Sequence, residues 1–460
     1  MGSQIEAISK NALSARFEDF SRENLENAKD RILDVLGCVI SGAKAPGNLG
    51  LLNLVRKWGG NEAATVLVHG GKIPAPNAAL VNSVMARSYD FEATQASVNG
   101  TYLPSHISGT TVTTALTLAE SENLNGKELI SALLVGDDVA CRILAASGFG
   151  FSLGWDNVGT VNAFGATAIA GRILKLSSKQ LQNAFGLVLN QLAGSFEAIW
   201  DGTSAFKLVQ GLSARNGIVS AELAKEGWTG PRDALLGKFG YFNLYTEGCT
   251  DPELLILDLG KKYHSEVTYK PYPGCRSNHA SVDCALDLVQ KYDVEPGEID
   301  SVLLRIPATV RDNFVGQQFF IQVVPQIGAA FSIRYCVANV LLRKSLTLEH
   351  FQEDLIRDPR IKQIANMIVI EELTPKERPL RTAFLEVTMK DGRRYTSDVS
   401  YAKGDPDQNT LSREEVTQKF LENVAFSRTI SQASAEKIIS HIHALEELES
   451  LNDLITLMTV

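Results

Sequence analysis

The sequence predicts a mainly α protein with a smaller α+β part. Three observations lead there. From about Glu18 to Gly260, apolar residues recur at three- and four-residue spacing and alternating β-branched runs are few. From roughly Lys262 to Gly404, alternating stretches enter. After a linker-like break at Gly404-Asp405-Pro406-Asp407, the rest of the chain is helical again. The expected division is a helical domain over 1–261, an α+β unit over 262–404, and a returning helical segment over 405–460 that rejoins the first domain.

Each element has a local reason. Ser21 caps a helix in which Leu25, Ala28, Ile32, Val35, Leu36 and Val39 form one stripe, and Gly42 ends it. Pro76 to Ser88 reads as an apolar helix with a proline in its first turn. Thr111 to Ala119 and Leu129 to Leu144 follow, the second entered through Asn125-Gly126-Lys127-Glu128. Phe164 to Leu176 is rich in Ala and Gly, which lets helices approach closely. Ser177 and Gln180 make a capping box for Leu181 to Leu192. Leu212 to Gly227 is a further helix, closed by its glycine. In the α+β part, Ile299 to Pro307 and Phe384 to Asp398 alternate like strands, the latter around an Asp391-Gly392 hairpin turn. Cys284 to Tyr292 and Ala329 to Arg343 read as helices, and Ser412 with Glu415 caps the returning one.

Composition narrows the function. The chain has 460 residues, 45% hydrophobic and 21% charged, which suits a soluble globular protein. A net charge of −9 with no basic run argues against nucleic acid as partner. No apolar run is long enough to cross a membrane, and Met1 to Phe20 carries no signal-peptide pattern, so a cytoplasmic protein is expected. Six scattered cysteines with no CxxC pair and no zinc spacing read as reduced thiols, with no metal site. No GxGxxG, Walker loop, GxSxG or HExxH occurs. What remains is cofactor-free proton chemistry on an anionic substrate.

Four clusters carry candidate chemistry. The first is Tyr89-Asp90-Phe91-Glu92-Ala93-Thr94 with Pro104-Ser105-His106-Ile107-Ser108-Gly109. On a helix, Asp90 and Thr94 share a face, while Glu92 faces elsewhere, structural or solvated. His106 precedes an apolar helix whose N-terminus favours an anion, and it is one of only seven histidines available for acid–base work near neutral pH. The second runs from Gly154 to Gly165 and includes Asp156, Thr160 and Asn162, the last two read first as a capped helix entry. The third is Asp201 to Gly211, where Lys207 stands between Phe206 and Leu208; it either snorkels to water or anchors a carboxylate. The fourth, Lys270-Pro271-Tyr272-Pro273-Gly274-Cys275-Arg276-Ser277-Asn278-His279, is either a stiff linker or a rigid anion site.

These motifs, with Arg31-Ile32-Leu33-Asp34-Val35-Leu36-Gly37, Ala163-Phe164-Gly165-Ala166, and Lys207 with Gly211 and Ala214, resemble the MmgE/PrpD family nearly end to end. The resemblance implies a large all-helical domain built from both ends of the chain, an α+β lid, a homodimer, and an active site in the cleft between helical domain and lid. It implies proton transfer beside a carboxylate of a small di- or tricarboxylic acid, without a metal or other cofactor. Carried over by position, Asp90, Thr94 and His106 match the first motif, Lys207 the helix-start lysine, and Lys270 and His279 the lid-side motif. Tyr335 matches a tyrosine near the family's pocket. His106 is then the principal acid–base group, oriented by Asp90 and aided by Thr94. Lys207, Lys270 and Arg276 neutralise carboxylates, and Tyr335 or His279 serves the opposite face. Asp156-Asn157 stands where many members have His-Pro, and Gln210 where many have a histidine; the segment between Thr94 and His106 is longer than in the decarboxylase-like pattern. Asp156 is the candidate to take over a base role. Dehydration of a citrate-like hydroxy acid ranks first, decarboxylation of a cis-aconitate-like acid second, and epimerisation of a dicarboxylate third. A non-catalytic metabolite binder is the reading from another class.

Overall fold

The computed structural model describes residues 3–148, 153–374, 382–406 and 408–460; Asp407 of the expected linker lies outside them. Helix α1, Arg22–Gly42, starts at a capping box of Ser21 and Asn24. Helix α2, Ala75–Arg87, has its proline in the first turn, where no intrahelical N–H is lost. Strands β1, Thr94–Val98, and β2, Thr101–Leu103, form a hairpin. Then come α3, Ser108–Ser121, α4, Gly126–Ala146, α5, Val161–Ile173, and α6, Ala205–Lys225. Helix α6 packs against both α2 and α5.

The two-residue strand β3, Val267–Thr268, joins β1 to give a small sheet of order β2-β1-β3. Helix α7, His279–Lys291, and strand β4, Ile299–Ile306, follow. Next are α8, Pro325–Ala330, and α9, Ile333–Arg343. Strands β5, Ile368–Glu372, β6, Ala383–Met389, and β7, Arg394–Val399, complete a four-stranded sheet of order β5-β4-β6-β7. Strand β5 is parallel to β4 and the other pairs are antiparallel, with Val302 opposite Val387. The expected Asp391-Gly392 turn links β6 to β7, with Gly392 at φ 87°. Helix α10, Arg413–Ser427, has the expected Ser412–Glu415 capping box.

Two apolar clusters fill the molecule. One draws on residues from Ile5 to Tyr263 and again from Phe420 to Met458. The other is built chiefly from Ala280 to Ala402, with Tyr89, Phe91, Phe196, Ile199 and Phe206 reaching into it. Helix α10 lies along α1 because Gly37 leaves room: a Cβ there would stand 3.3 Å from Phe420. A buried charge pair bolts the two together, Lys419 to Asp34 at 2.6 Å, and Lys29 of α1 also reaches Glu446, beyond α10, at 3.1 Å.

The mainly α architecture with a mixed α+β part is as expected, and three details differ. Strands β1 and β2 of the small sheet β2-β1-β3 sit in the stretch read as helical; strands of two to five residues are too short for alternation to show. Helix α6 begins at Ala205 rather than Leu212, which puts Lys207 in its first turn. The expected helix from Ala329 to Arg343 breaks at Phe331-Ser332, where the Ser332 hydroxyl accepts the Tyr335 N–H and restarts it.

Candidate active site

Helix α2 stops at Arg87 because the chain turns sharply: the Asp90 N–H donates to the Arg87 carbonyl, and Asp90 adopts a left-handed backbone at φ 47°. A non-glycine residue held there is a local cost that surrounding contacts must offset. Asp90 and Thr94 therefore do not share a helix face, since the helix ends before Asp90 and Thr94 opens β1. They meet instead at His106, whose Nε2 lies 3.3 Å from the Thr94 hydroxyl and 3.6 Å from Asp90 Oδ1.

Glu92, expected to point away, is wholly buried and lies in the same cluster, 3.2 Å from His106 Nδ1. Arg87, which sequence reading passed over, holds the group together. Its Nη1 donates to Asp90, to Glu92 at 3.0 Å, and to His106 Nδ1 at 2.6 Å. Its signal was a lone cation closing an apolar helix three residues before an aspartate. Nδ1 faces both Arg87, which can only donate, and Glu92, which can only accept; the Arg87 contact is the shorter and takes the Nδ1 lone pair, leaving the proton on Nε2. The Nε2–H faces the Thr94 oxygen, which passes its own proton to the Ser105 carbonyl at 2.5 Å. Asn162 fixes the backbone here, donating to the His106 carbonyl at 2.8 Å.

Asp90, Glu92 and His106 offer three ligand atoms within 4.8 Å of one another, a donor set that suits a cation. The protein already supplies one: Arg87 Nη1 bonds all three, so a metal ion would have to displace a guanidinium. Lys270, wholly buried, adds a second positive charge, 3.1 Å from Asp90 Oδ1 and 2.6 Å from the Asp90 carbonyl. Burial works against ionised Asp90, but Lys270 and then Arg87 outweigh it and hold the carboxyl well below its usual range. Glu92 is held low in the same way, mainly by Arg87. His106 moves down to about 4, through burial first and the repulsion of Arg87 second. At neutral pH the ring is uncharged.

The other expected residues are placed as follows. Asp156 is buried, its carboxyl raised by burial while Arg87 pulls it down; its side chain caps the Val158 N–H at 3.0 Å. Gln210 lies against Gly109, whose Cβ would stand 2.1 Å from its Nε2, and donates to the Ser83 carbonyl. Lys207 does not snorkel to water: it is buried, donates to the Pro46 carbonyl at 2.7 Å, and is lowered to about 7 by burial. Arg276 donates to His279 Nδ1 at 3.0 Å and to the Lys403 carbonyl at 2.6 Å. His279 is held well below its ordinary value by burial, then by Arg276 and Lys270. Tyr335 is not brought to the cluster. Its ring packs between Phe319 and Phe351 and its hydroxyl donates to the His350 carbonyl.

Within the cluster, the second carboxylate oxygens Asp90 Oδ2 and Glu92 Oε2 have no hydrogen-bond partner among the described residues. The side chain of His106 is 18% exposed, while those of Arg87, Asp90, Glu92 and Lys270 are at most 3% exposed. A cavity of about 480 Å³ is lined by Tyr89 and Gln326 but by none of Asp90, Thr94, His106 or Lys270.

Comparison with known proteins covers nearly the whole chain. The family model of the MmgE/PrpD N-terminal domain matches residues 6–253, and that of the MmgE/PrpD C-terminal domain matches residues 272–445. The cis-aconitate decarboxylase of Homo sapiens is 26% identical, covering 94% of this chain and 90% of that protein. The cis-aconitate decarboxylase of Aspergillus terreus is 25% identical over 96% of this chain and 93% of its own length.

Proposed function

The chain belongs to the MmgE/PrpD family, and from that premise we propose that it is a lyase that breaks a bond beside a carboxylate of a small tricarboxylic acid, with His106 moving the proton. The observation that carries this reading is the Arg87–Asp90–Glu92–His106–Lys270 cluster. In it one imidazole, uncharged at neutral pH, is fixed between two carboxylates and two cations. Lys270 and Lys207 neutralise substrate carboxylates, with Arg276 as a further clamp. Thr94 and Asp90 keep the Nε2 side of the ring in place.

Sequence reading put dehydration ahead of decarboxylation; the cis-aconitate decarboxylases among the relatives favour the reverse order. The position of Arg87 supports that reversal. When a carboxylate leaves as carbon dioxide, its bonding electron pair stays on carbon and a proton must be delivered there. The Nε2–H is the proton on offer, and Arg87 at Nδ1 offsets the negative charge left on the ring. Dehydration needs the opposite tautomer, with Nδ1–H donated to Glu92 and Nε2 free to take a proton from carbon.

Of Arg87, Asp90, Glu92, His106 and Lys270, His106 is the most exposed, and substrate entry is proposed to involve movement of the 262–404 part against the helical part formed by 1–261 and 405–460. That division, and a homodimer, belong to the same proposal; sedimentation at twice the chain mass is the result expected of the dimer, and sedimentation at the chain mass would exclude it. The deciding experiment is proton and carbon NMR in heavy water with cis-aconitate, citrate and 2-methylcitrate. Carbon dioxide release with one deuteron on the product carbon assigns decarboxylation, and loss of water assigns dehydration. No turnover of any of them, or full turnover by His106→Ala, overturns the reading.

A further inference from the structure

The returning helix α10 reaches the candidate site at one residue. Lys419 is buried, and its ammonium donates to Asp34 Oδ1 at 2.6 Å and to the Phe91 carbonyl at 2.7 Å, 3.9 Å from the centre of the Phe91 ring. The second oxygen of Asp34 accepts the Ala93 N–H at 2.7 Å. These two anchors flank Glu92. One residue earlier, Lys270 holds the Asp90 carbonyl at 2.6 Å. The backbone from Asp90 to Ala93 is therefore tied at three points by side chains that come from α1, from α10 and from the segment before α7. A left-handed Asp90 persists only where its surroundings over-determine it, and this clamp does so.

We infer that Lys419 is a positioning residue for the lyase reaction: through Asp34 and the Phe91–Ala93 backbone it sets where Asp90 and Glu92 stand around His106. The inference rests on the reading of this cluster as the active site. Lys419 itself touches none of the reacting groups; its hydrogen bonds go to Asp34 and to main chain. The charged groups that face the His106 ring are Arg87, Asp90, Glu92 and Lys270, and two of these four lie on the clamped segment.

The test uses the full chain labelled with ¹⁵N-histidine, as wild type, as the pair variant Asp34→Asn/Lys419→Met, and as Lys419→Arg. The pair variant removes both charges together, so no lone ion is left buried. Expected in the pair variant is a kcat lower on the order of 100-fold, the loss that about 1 Å of misplacement causes. KM should stay within a few-fold, and the His106 titration should move away from about 4. Lys419→Arg should fall between the two. A pair variant that melts earlier but keeps wild-type kcat and His106 titration overturns the inference. If the pair variant does not fold, Lys419→Arg decides: a displaced His106 titration supports the inference and an unchanged one overturns it. If the wild type turns over no carboxylic acid, the lyase reading fails, yet the His106 titration still decides the positioning role.

Discussion

Arg87 and His106 meet at 2.6 Å, Nη1 on Nδ1, with the guanidinium donating and the imidazole accepting. After burial, this cation is the largest influence holding His106 down at about 4. Arg87→Gln removes it while leaving Asp90 and Glu92 to pull the ring upward. The His106 titration is expected to rise toward the ordinary histidine value of about 6.5, and the acid limb of kcat/KM to rise with it. Loss of the only cation bonded to Glu92 among the described residues should also lower stability, by about 3–5 kcal/mol as for other broken buried pairs. A pH profile and a urea melt of the same variant check both. An acid limb that stays in place would show that Arg87 does not tune the ring.

In the wild type, two limbs follow from the same cluster and its neighbour. His106 must be uncharged to keep the Arg87 contact, so kcat/KM should fall only as pH drops through about 4. Lys207 must be charged to hold a carboxylate, so KM should climb as pH rises through about 7. A plateau between those values, read from initial rates at fixed ionic strength, is the expected profile. An acid limb near that of an ordinary histidine would count against the burial and charge argument.

Lys207 also writes a signature on stability. Unfolded, it keeps the ordinary value of 10.5; folded, burial lowers it to about 7. Between the two the unfolded chain binds one more proton, so stability rises as pH rises through that window and is flat on either side of it. Lys207→Met should remove this slope: its melting temperature exceeds that of wild type at pH 6 and the gap closes toward pH 10. The same variant should raise KM. A constant gap across that range would mean that Lys207 is not the group responsible.

Gly274 joins the two halves of the site. Its N–H donates to the Tyr89 carbonyl at 3.0 Å, one residue before Asp90, and it sits at φ 97° with a would-be Cβ only 2.7 Å from the Ala330 carbonyl. Gly274→Ala therefore meets both an unfavourable backbone and a backbone clash, and about 1–3 kcal/mol of stability should be lost. The shift should carry Lys270 with it and raise KM. A variant with wild-type melting and KM would show that the turn relaxes without cost.

The helical half was legible because its signals are local. Capping boxes at Ser177 and Ser412 and the long stripe of α1 need only a few neighbouring residues to specify them. The site was legible in part, since Asp90, Thr94, His106 and Lys270 stand out as polar residues in apolar surroundings and the structure brings them together. Arg87 escaped notice and Glu92 was turned away from the site because their roles depend on where α2 ends, and a helix end at Arg87 cannot be told from one at Asp90 by periodicity. The Lys419–Asp34 contact spans 385 positions, and nothing in either segment's own pattern points to the other. Tyr335 shows the reverse: a position matched by resemblance whose side chain, once folded, is committed elsewhere.

That commitment gives a sharp test. The Tyr335 ring is buried between Phe319 and Phe351, burial pushes its phenol above the usual range, and its hydroxyl is spent on the His350 carbonyl. Tyr335→Phe keeps the ring packing and removes one hydrogen bond. Stability should fall by about 1 kcal/mol, or somewhat more because the His350 carbonyl loses its donor, and kcat and KM should stay near wild type. If Tyr335 instead supplied a proton on the second face of the substrate, the same variant would lose on the order of 100-fold or more in kcat. Its alkaline limb would then also change, and the hydroxyl would have to leave His350 on substrate binding. Rates and a melting curve on this one variant separate a tyrosine that holds the second apolar cluster together from one that takes part in the chemistry.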